Sequence, residues 1–210
     1  MIIKINPSII PYDNLLESLC KAPYHGHPHG CPNYGKKEGC PPRKPFEDIF
    51  NLNKNMYVIY TEFPVGEFAE RMRMTHPEWK ELNYPDHSKK TNNFMQSFEN
   101  KLREKHPDWP EEYFAKKNKK SGSSAKEWYN PRRWQPAAKK NQRIEETRFL
   151  NEYPGLILDK CPEASGINLT ALMYKLGIEL KWQWPPIHDI KNKSYIISIG
   201  GHPANQELNE

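Results

Sequence analysis

The stretch Asn55-Met56-Tyr57-Val58-Ile59-Tyr60-Thr61-Glu62-Phe63 decides the fold class of this chain. It consists mainly of β-branched and aromatic residues, which is typical of a strand within a sheet. Two further apolar runs, at 156–158 and 194–199, are also predicted to form strands. Segments with helical spacing lie between them, so we expect an α/β fold with a small mixed sheet, including some parallel pairing, flanked by helices.

Four segments carry apolar residues at helical spacing, at 13–20, 66–74, 92–105 and 168–176. Asp13 and Asn168 are residue types that cap the amino terminus of a helix, and Gly177 is of the type that ends one. A length of 210 residues fits one ordinary domain. We therefore expect a single domain over residues 1–210.

Composition and motifs argue against several classes of protein. No run reaches the roughly 18 consecutive apolar residues that a membrane-spanning helix needs. The first residues also lack the apolar run and small-residue cleavage site of a secretory signal. No glycine-rich phosphate loop lies between a strand and a helix, and no Gly-x-Ser-x-Gly elbow is present. We therefore expect a cytoplasmic protein without a membrane partner.

Four cysteines form the most informative pattern. Cys20, Cys31 and Cys40 fall within 21 residues, whereas Cys161 stands far along the chain. The segment 21–45 consists largely of Gly, Pro, His and Cys, so it lacks the apolar surface needed to order itself. In the cytoplasm cysteines are kept reduced, so we expect free thiols rather than disulfides. A metal centre bound by these thiols would order the segment.

The residues that follow the cysteines favour an iron–sulfur cluster. Proline comes directly after Cys31, Cys40 and Cys161. Proline fixes the direction of the chain and has no N–H that could donate a hydrogen bond to a sulfur. In bacterial ferredoxins, the last cysteine of the cluster-binding motif is also followed directly by proline. The spacing differs from the Cys-x-x-Cys of a zinc ribbon. We therefore expect a [4Fe–4S] cluster on Cys20, Cys31, Cys40 and Cys161, with structural zinc or free thiols as alternatives.

The stretch Cys31-Pro32-Asn33-Tyr34-Gly35-Lys36-Lys37-Glu38-Gly39-Cys40-Pro41-Pro42 resembles the signature of a family known as domain of unknown function 2284. That family shows Cys-x-x-Tyr-Gly followed by Cys-Pro-Pro. Residues 162–168 and the helix after them are similar to its second block. Two features depart from the family: a wider gap after Cys20, and Cys161 standing without the extra cysteine group. The resemblance implies binding of a metal or of a single cluster.

The number of thiolate ligands decides which chemistry a cluster supports. Four thiolates saturate every iron, which suits electron transfer or a structural role. If only the three amino-terminal cysteines bind, one iron is open and suits cluster-dependent sulfur chemistry. In that case Cys161 is a small buried side chain beside the strand at 156–158. Both interpretations stay open on the sequence alone.

Three histidines, His25, His27 and His29, alternate with glycine and proline between Cys20 and Cys31. They are candidates for a further metal ligand. The alternative is a solvated loop that only spaces the two cysteines. We favour the loop, because no carboxylate lies nearby in sequence to orient the rings.

Positive charge is concentrated in one segment. Residues 115–148 hold eleven Lys or Arg against three Glu, a local net charge of +8 in a chain whose total is +5. We expect residues 107–136 to form an inserted arm outside the core, with Trp128, Arg132, Arg133 and Trp134 as its contact residues. Such a mixture suits RNA or an acidic protein partner, and a solvated basic surface is the alternative. The competing function is therefore a zinc-stapled binding module that uses this arm.

Overall fold

The computed structural model describes residues 1–23, 27–37, 39–77, 82–83, 88–114, 126–127, 134–181, 187 and 189–204. The strands are β1 (Ile2–Ile5), β2 (Met56–Phe63), β3 (Leu82–Asn83), β4 (Lys126–Glu127), β5 (Ile157–Asp159) and β6 (Ser194–Gly201). Four of them form one sheet in the order β1-β2-β6-β5, and β3 pairs with β4. The stretch quoted above is therefore an inner strand.

Helices cover this sheet and connect its strands. The α-helices in the described ranges are α1 (Phe46–Ile49), α2 (Val65–Thr75), α3 (Ser88–Lys105), α4 (Trp134–Glu152) and α5 (Leu169–Lys175). Short 3₁₀ helices lie at Pro7–Ile9, Asn14–Lys21, Glu111–Tyr113 and Pro162–Ser165. None of the helices in the described part of the chain is long and apolar enough to cross a membrane.

The α/β class is confirmed, but the expected parallel pairing is wrong. Every strand pair within the described residues is antiparallel. The register explains why: Phe63 at the end of β2 lies opposite Ser194 at the start of β6. The chain therefore leaves and re-enters the sheet at the same end, whereas a parallel pair needs a crossover to the opposite end.

Alternate residues of β2 enter two different apolar clusters. Val58 and Tyr60 pack into the largest cluster, where Leu172 of α5 also lies. Ile59, on the opposite face, packs with Phe149 of α4. Because side chains of a strand alternate between faces, both sides of the sheet are covered. This double coverage accounts for the nearly continuous burial of β2.

The predicted helix ends agree with the observed capping bonds. Oδ1 of Asp13 accepts a hydrogen bond from the Leu15 N–H at 2.7 Å, although the helix that follows is a 3₁₀ helix. Oδ1 of Asn168 likewise accepts a bond from the Ala171 N–H at 3.0 Å. These bonds satisfy backbone donors that the first turn leaves unpaired.

The prediction that residues 107–136 lie outside the core is wrong at both ends of that segment. Phe114 is buried with Phe98 and Leu102 of α3. Trp134 opens α4, and its ring stacks on Phe63 with 5.8 Å between centroids. Aromatic burial of this size stabilises a core, so these ends belong to the domain.

The remaining contact residues of the predicted arm lie outside the described residues. They are Trp128, Arg132 and Arg133. Trp134 packs on the core, and the face of its ring that stacks on Phe63 is not exposed to a partner. On α4 the side chains of Lys139, Lys140 and Arg143 are exposed, which extends positive charge along this helix.

Candidate metal centre

A backbone hydrogen bond holds Cys20 and Cys31 side by side. Cys20 lies in the last turn of the 3₁₀ helix Asn14–Lys21, and its carbonyl oxygen accepts a bond from the Cys31 N–H at 2.7 Å. Gly30 makes this approach possible, because it adopts a φ of +83°. A Cβ atom at Gly30 would lie 2.7 Å from the Cys20 oxygen. The ten residues between Cys20 and Cys31 therefore form a loop whose two ends are hydrogen-bonded to each other, and we call this contact the Cys20–Cys31 junction.

The loop from Cys31 to Cys40 is closed by its own backbone bonds. The Tyr34 N–H donates to the Cys31 oxygen at 3.1 Å, and the Gly35 N–H donates to the Pro41 oxygen at 2.8 Å. The Cys40 N–H donates to the Lys37 oxygen at 3.0 Å. Consecutive bonds thus link the chain around Cys31 to the chain around Cys40.

Cys161 meets this loop from the second half of the chain. It follows β5 and precedes the 3₁₀ helix Pro162–Ser165, whose first turn bonds the Ala164 N–H to the Cys161 oxygen at 2.9 Å. The Sγ atom of Cys161 lies 3.8 Å from the position that a Cβ atom on Gly39 would take. Cys161 therefore lies against the residue that precedes Cys40.

The surroundings of Cys20 and Cys161 disfavour the ionised forms of these two thiols. Burial raises the pKa of Cys20 to about 11, and the negative charge of Cys31, Glu163, Cys40 and Cys161 adds to the effect. Burial also raises the pKa of Cys161, with Asp159 adding to the increase and the Arg43 guanidinium opposing it. Each thiolate would therefore destabilise its neighbours unless a cation lay among them.

The exposure of the cysteines argues against a purely structural role. None of the four forms a disulfide. Cys20, Cys31 and Cys40 are half-buried, and Cys161 is exposed. The interpretation of Cys161 as a small buried side chain is therefore wrong. A structural cysteine packs as a small apolar residue inside the core, which none of these does.

The donor set fits a thiolate-bound metal centre in its chemistry. Iron–sulfur clusters and structural zinc both use four cysteine sulfurs. Within the described residues, however, no group of three or more His, Cys, Asp or Glu side chains is arranged to hold a metal ion. The fit of this donor set to a cluster therefore rests on the chemistry of four cysteine sulfurs.

The histidines of the same loop contribute turn structure. The His27 oxygen accepts a hydrogen bond from the Gly30 N–H at 3.2 Å, which closes the turn before Cys31. The side chain of His29 is exposed. His25 lies outside the described residues. The role of these rings as metal ligands stays a prediction.

A second cluster of ionisable groups escaped the sequence analysis. The buried Asp13 carboxylate pairs with Lys105 Nζ at 2.7 Å and with His106 Nε2 through the same oxygen. The His106 ring stacks on Trp109 with 4.0 Å between centroids. A cleft of ≈ 550 Å³ is lined by these residues and by Lys175. Asp13 and His106 are 93 positions apart in the sequence, so no local pattern predicted their contact.

Hydrogen bonds keep the Asp13 carboxylate charged. Burial alone would raise its pKa, but bonds from Lys105, His106 and the Leu15 N–H outweigh burial and lower it below the ordinary value of 3.8. The carboxylate therefore orients the imidazole and joins the carboxyl end of α3 to the 3₁₀ helix Asn14–Lys21. That helix ends next to Cys20, so this pair also supports the cysteine region.

Comparison with known proteins gives no match: no protein-family model, no curated protein and no solved structure is similar to this chain. The resemblance to domain of unknown function 2284 therefore stays a prediction. The chain's own residues and their geometry are what bears on its function.

Proposed function

We propose that this protein binds one [4Fe–4S] cluster through Cys20, Cys31, Cys40 and Cys161 and transfers electrons. The observation that carries the proposal is that Cys161, from the second half of the chain, lies against the loop that holds Cys31 and Cys40. Cys161 Sγ lies 3.8 Å from the Cβ position of Gly39, and Cys31 is bonded to Cys20. Four thiolates saturate the irons of a cluster, which suits electron transfer rather than substrate binding at a metal.

Three features support a cluster over a zinc ion. The spacing lacks the Cys-x-x-Cys turn by which two thiolates reach one zinc ion. Proline directly follows Cys31, Cys40 and Cys161, as it follows the last cysteine ligand in the cluster motif of bacterial ferredoxins. Burial and neighbouring negative charge raise the pKa of Cys20, and the positive charge of several irons would offset this effect at its thiolate. The cluster would supply a one-electron couple, and the chain would supply the ligands and a partly desolvated setting.

Metal analysis of oxygen-free protein is the first test. We expect brown protein that contains about four irons and an equal amount of acid-labile sulfide per chain. A colourless protein with one zinc per chain would refute the cluster and favour the zinc-stapled module. Protein with neither metal would refute both.

Single substitutions then assign the ligands. Cys20→Ser, Cys31→Ser and Cys40→Ser are each expected to abolish most of the iron content. Lys36→Ser, at an exposed position of the same loop, is the matched control and should retain it. Loss of iron from the control would indicate general damage to the loop rather than loss of a ligand.

Cys161→Ser distinguishes electron transfer from sulfur chemistry. If Cys161 is a ligand, the variant loses its cluster or changes its electron paramagnetic resonance spectrum. Wild-type protein should then undergo reversible one-electron reduction in a potentiometric titration. An unchanged spectrum in Cys161→Ser would mean that one iron is open in the wild type, and it would replace electron transfer with cluster-dependent sulfur chemistry.

A further inference from the structure

One buried ion pair joins the cysteine loop to the second half of the chain. Nη1 of Arg43, three residues after Cys40, lies 2.6 Å from Oδ1 of Asp159 at the end of β5. The Asp159 side chain is 0% exposed and that of Arg43 is 24% exposed. A carboxylate removed from water in this way needs its partner, since an unpaired buried charge is strongly destabilising.

The same carboxylate organises the backbone at Cys161. Oδ1 of Asp159 accepts the Cys161 N–H at 2.9 Å, and Oδ2 accepts the Ser165 hydroxyl at 2.5 Å. Nη1 of Arg43 also donates to the Cys161 carbonyl oxygen at 3.5 Å. The pair therefore contacts both the N–H and the C=O of Cys161, and the bond from the Cys161 N–H to the Asp159 carboxylate is the shorter and stronger of the two.

We infer that Asp159 and Arg43 are positioning residues for Cys161, and that the Arg43 guanidinium also raises the reduction potential of the cluster. The inference rests on the proposed function. Asp159 is bonded to the Cys161 backbone, and Arg43 ties that unit to the chain that follows Cys40. A cation beside a thiolate-bound cluster stabilises its more negative, reduced form, so its removal lowers the potential.

Variants at Arg43 separate positioning from simple stability. Arg43→Gln removes the charge, so we expect a several-fold loss of iron per chain and a more negative midpoint potential for the remaining cluster. Arg43→Lys keeps the charge and should recover most of the potential. Arg73→Gln is the control, because Arg73 of α2 also forms an ion pair, with Glu70 at 2.9 Å. Its iron content and potential should equal those of the wild type.

Asp159→Asn tests the backbone part of the inference. We expect a several-fold loss of iron, because the amide leaves Arg43 without a countercharge beside Cys161. If the wild type holds a cluster, and both Asp159→Asn and Arg43→Gln retain its iron content and potential, the inference is overturned and the proposed function stands. Iron loss with an unchanged potential in Arg43→Gln would overturn the electrostatic part alone.

A cross-linking assay tests the positioning even if the wild type holds no iron. Diamide accepts two electrons and two protons from a pair of thiols, so that an S–S bond forms and diamide becomes a hydrazine. We expect full-length wild type to form a bond between Cys161 and Cys40, detected by mass spectrometry of the peptides. Asp159→Asn should form it several-fold more slowly, whereas Arg73→Gln should match the wild type. Equal rates in all three proteins would overturn the inference.

Discussion

Substitution of Gly30 by alanine should damage the Cys20–Cys31 junction more than any other single methyl group in the loop. Gly30 has a φ of +83°, a conformation that costs an L-residue about 1–2 kcal/mol. The added Cβ would lie 2.7 Å from the Cys20 oxygen and 2.7 Å from two backbone atoms of Lys21. Because backbone cannot rotate away as a side chain does, one of the two segments must move.

The movement would break the hydrogen bond from Cys31 to Cys20, which is 2.7 Å long. Such a bond contributes about 0.5–1.5 kcal/mol. Strain and bond loss together lower the free energy of unfolding by about 1.5–3.5 kcal/mol. For a chain of this size each kcal/mol shifts the melting temperature by about 2–4 °C. Gly30→Ala should therefore melt roughly 3–14 °C lower and lose most of its iron.

Gly35→Ala is the matched control. Gly35 also has a positive φ, +68°, but nothing lies within 4 Å of its Cβ position. The control bears only the conformational cost of about 1–2 kcal/mol, and its backbone bond to Pro41 is untouched. Thermal unfolding followed by circular dichroism, together with iron analysis, measures both effects. If Gly30→Ala has the same melting temperature and the same iron content per chain as Gly35→Ala, the described junction between Cys20 and Cys31 is wrong.

Three further predictions concern the fold around the site. The Asp13 carboxylate has a pKa below 3.8 in the folded protein, so its stabilising effect is present above that pH and is lost as the pH falls through the folded pKa. Urea denaturation at a series of pH values should show this loss in the wild type, and Asp13→Asn should flatten the acid dependence. Phe149→Ala should lower the free energy of unfolding by about 3–5 kcal/mol because the ring is fully buried against the sheet. Ile144→Ala, on the same helix but 61% exposed, should change it by less than about 0.5 kcal/mol in the same denaturation assay. Ser198→Ala should cost about 1–3 kcal/mol by calorimetry, because it leaves the buried carboxylate of Glu146 without its 2.6 Å donor; an unchanged melting temperature would contradict this.

Local signals in the sequence predicted most of the secondary structure around the sheet. The run at β2, the cap at Asn168 and the apolar stripe of α3 each depend on residues close together in the chain, so periodicity and capping residues indicated them. The relative direction of β2 and β6 depends instead on the end of the sheet to which the chain returns after the 130 residues between them. No local pattern carries that information.

The long helix α4 escaped prediction for a different physical reason. Its buried positions are Ala138, Gln142, Glu146 and Phe149, and the two middle ones are polar. Gln142 bonds to the Ile59 oxygen and to Ser198, which also donates to Glu146. A stripe whose burial depends on hydrogen bonds to a distant strand does not look apolar in the sequence. The positive charge on its outer face made most of this helix appear in the sequence as part of the basic segment 115–148.

Backbone hydrogen bonds and one ion pair contribute to the order of the cysteine loop. Residues 21–45 bury little aliphatic surface, so a metal was expected to order them. Backbone bonds already join Cys31 to Cys20 and Gly35 to Pro41, and Arg43 is anchored on the buried Asp159. Order in the loop is therefore no argument for a metal by itself.

The position of the thiols is what favours a metal. They come together from two distant parts of the chain and are half-buried or exposed, although packing a core needs neither arrangement. Their surroundings raise the pKa of Cys20 and of Cys161. Under the proposed function a bound cation would offset this effect, and its loss should return the Cys20 thiol to its protonated form.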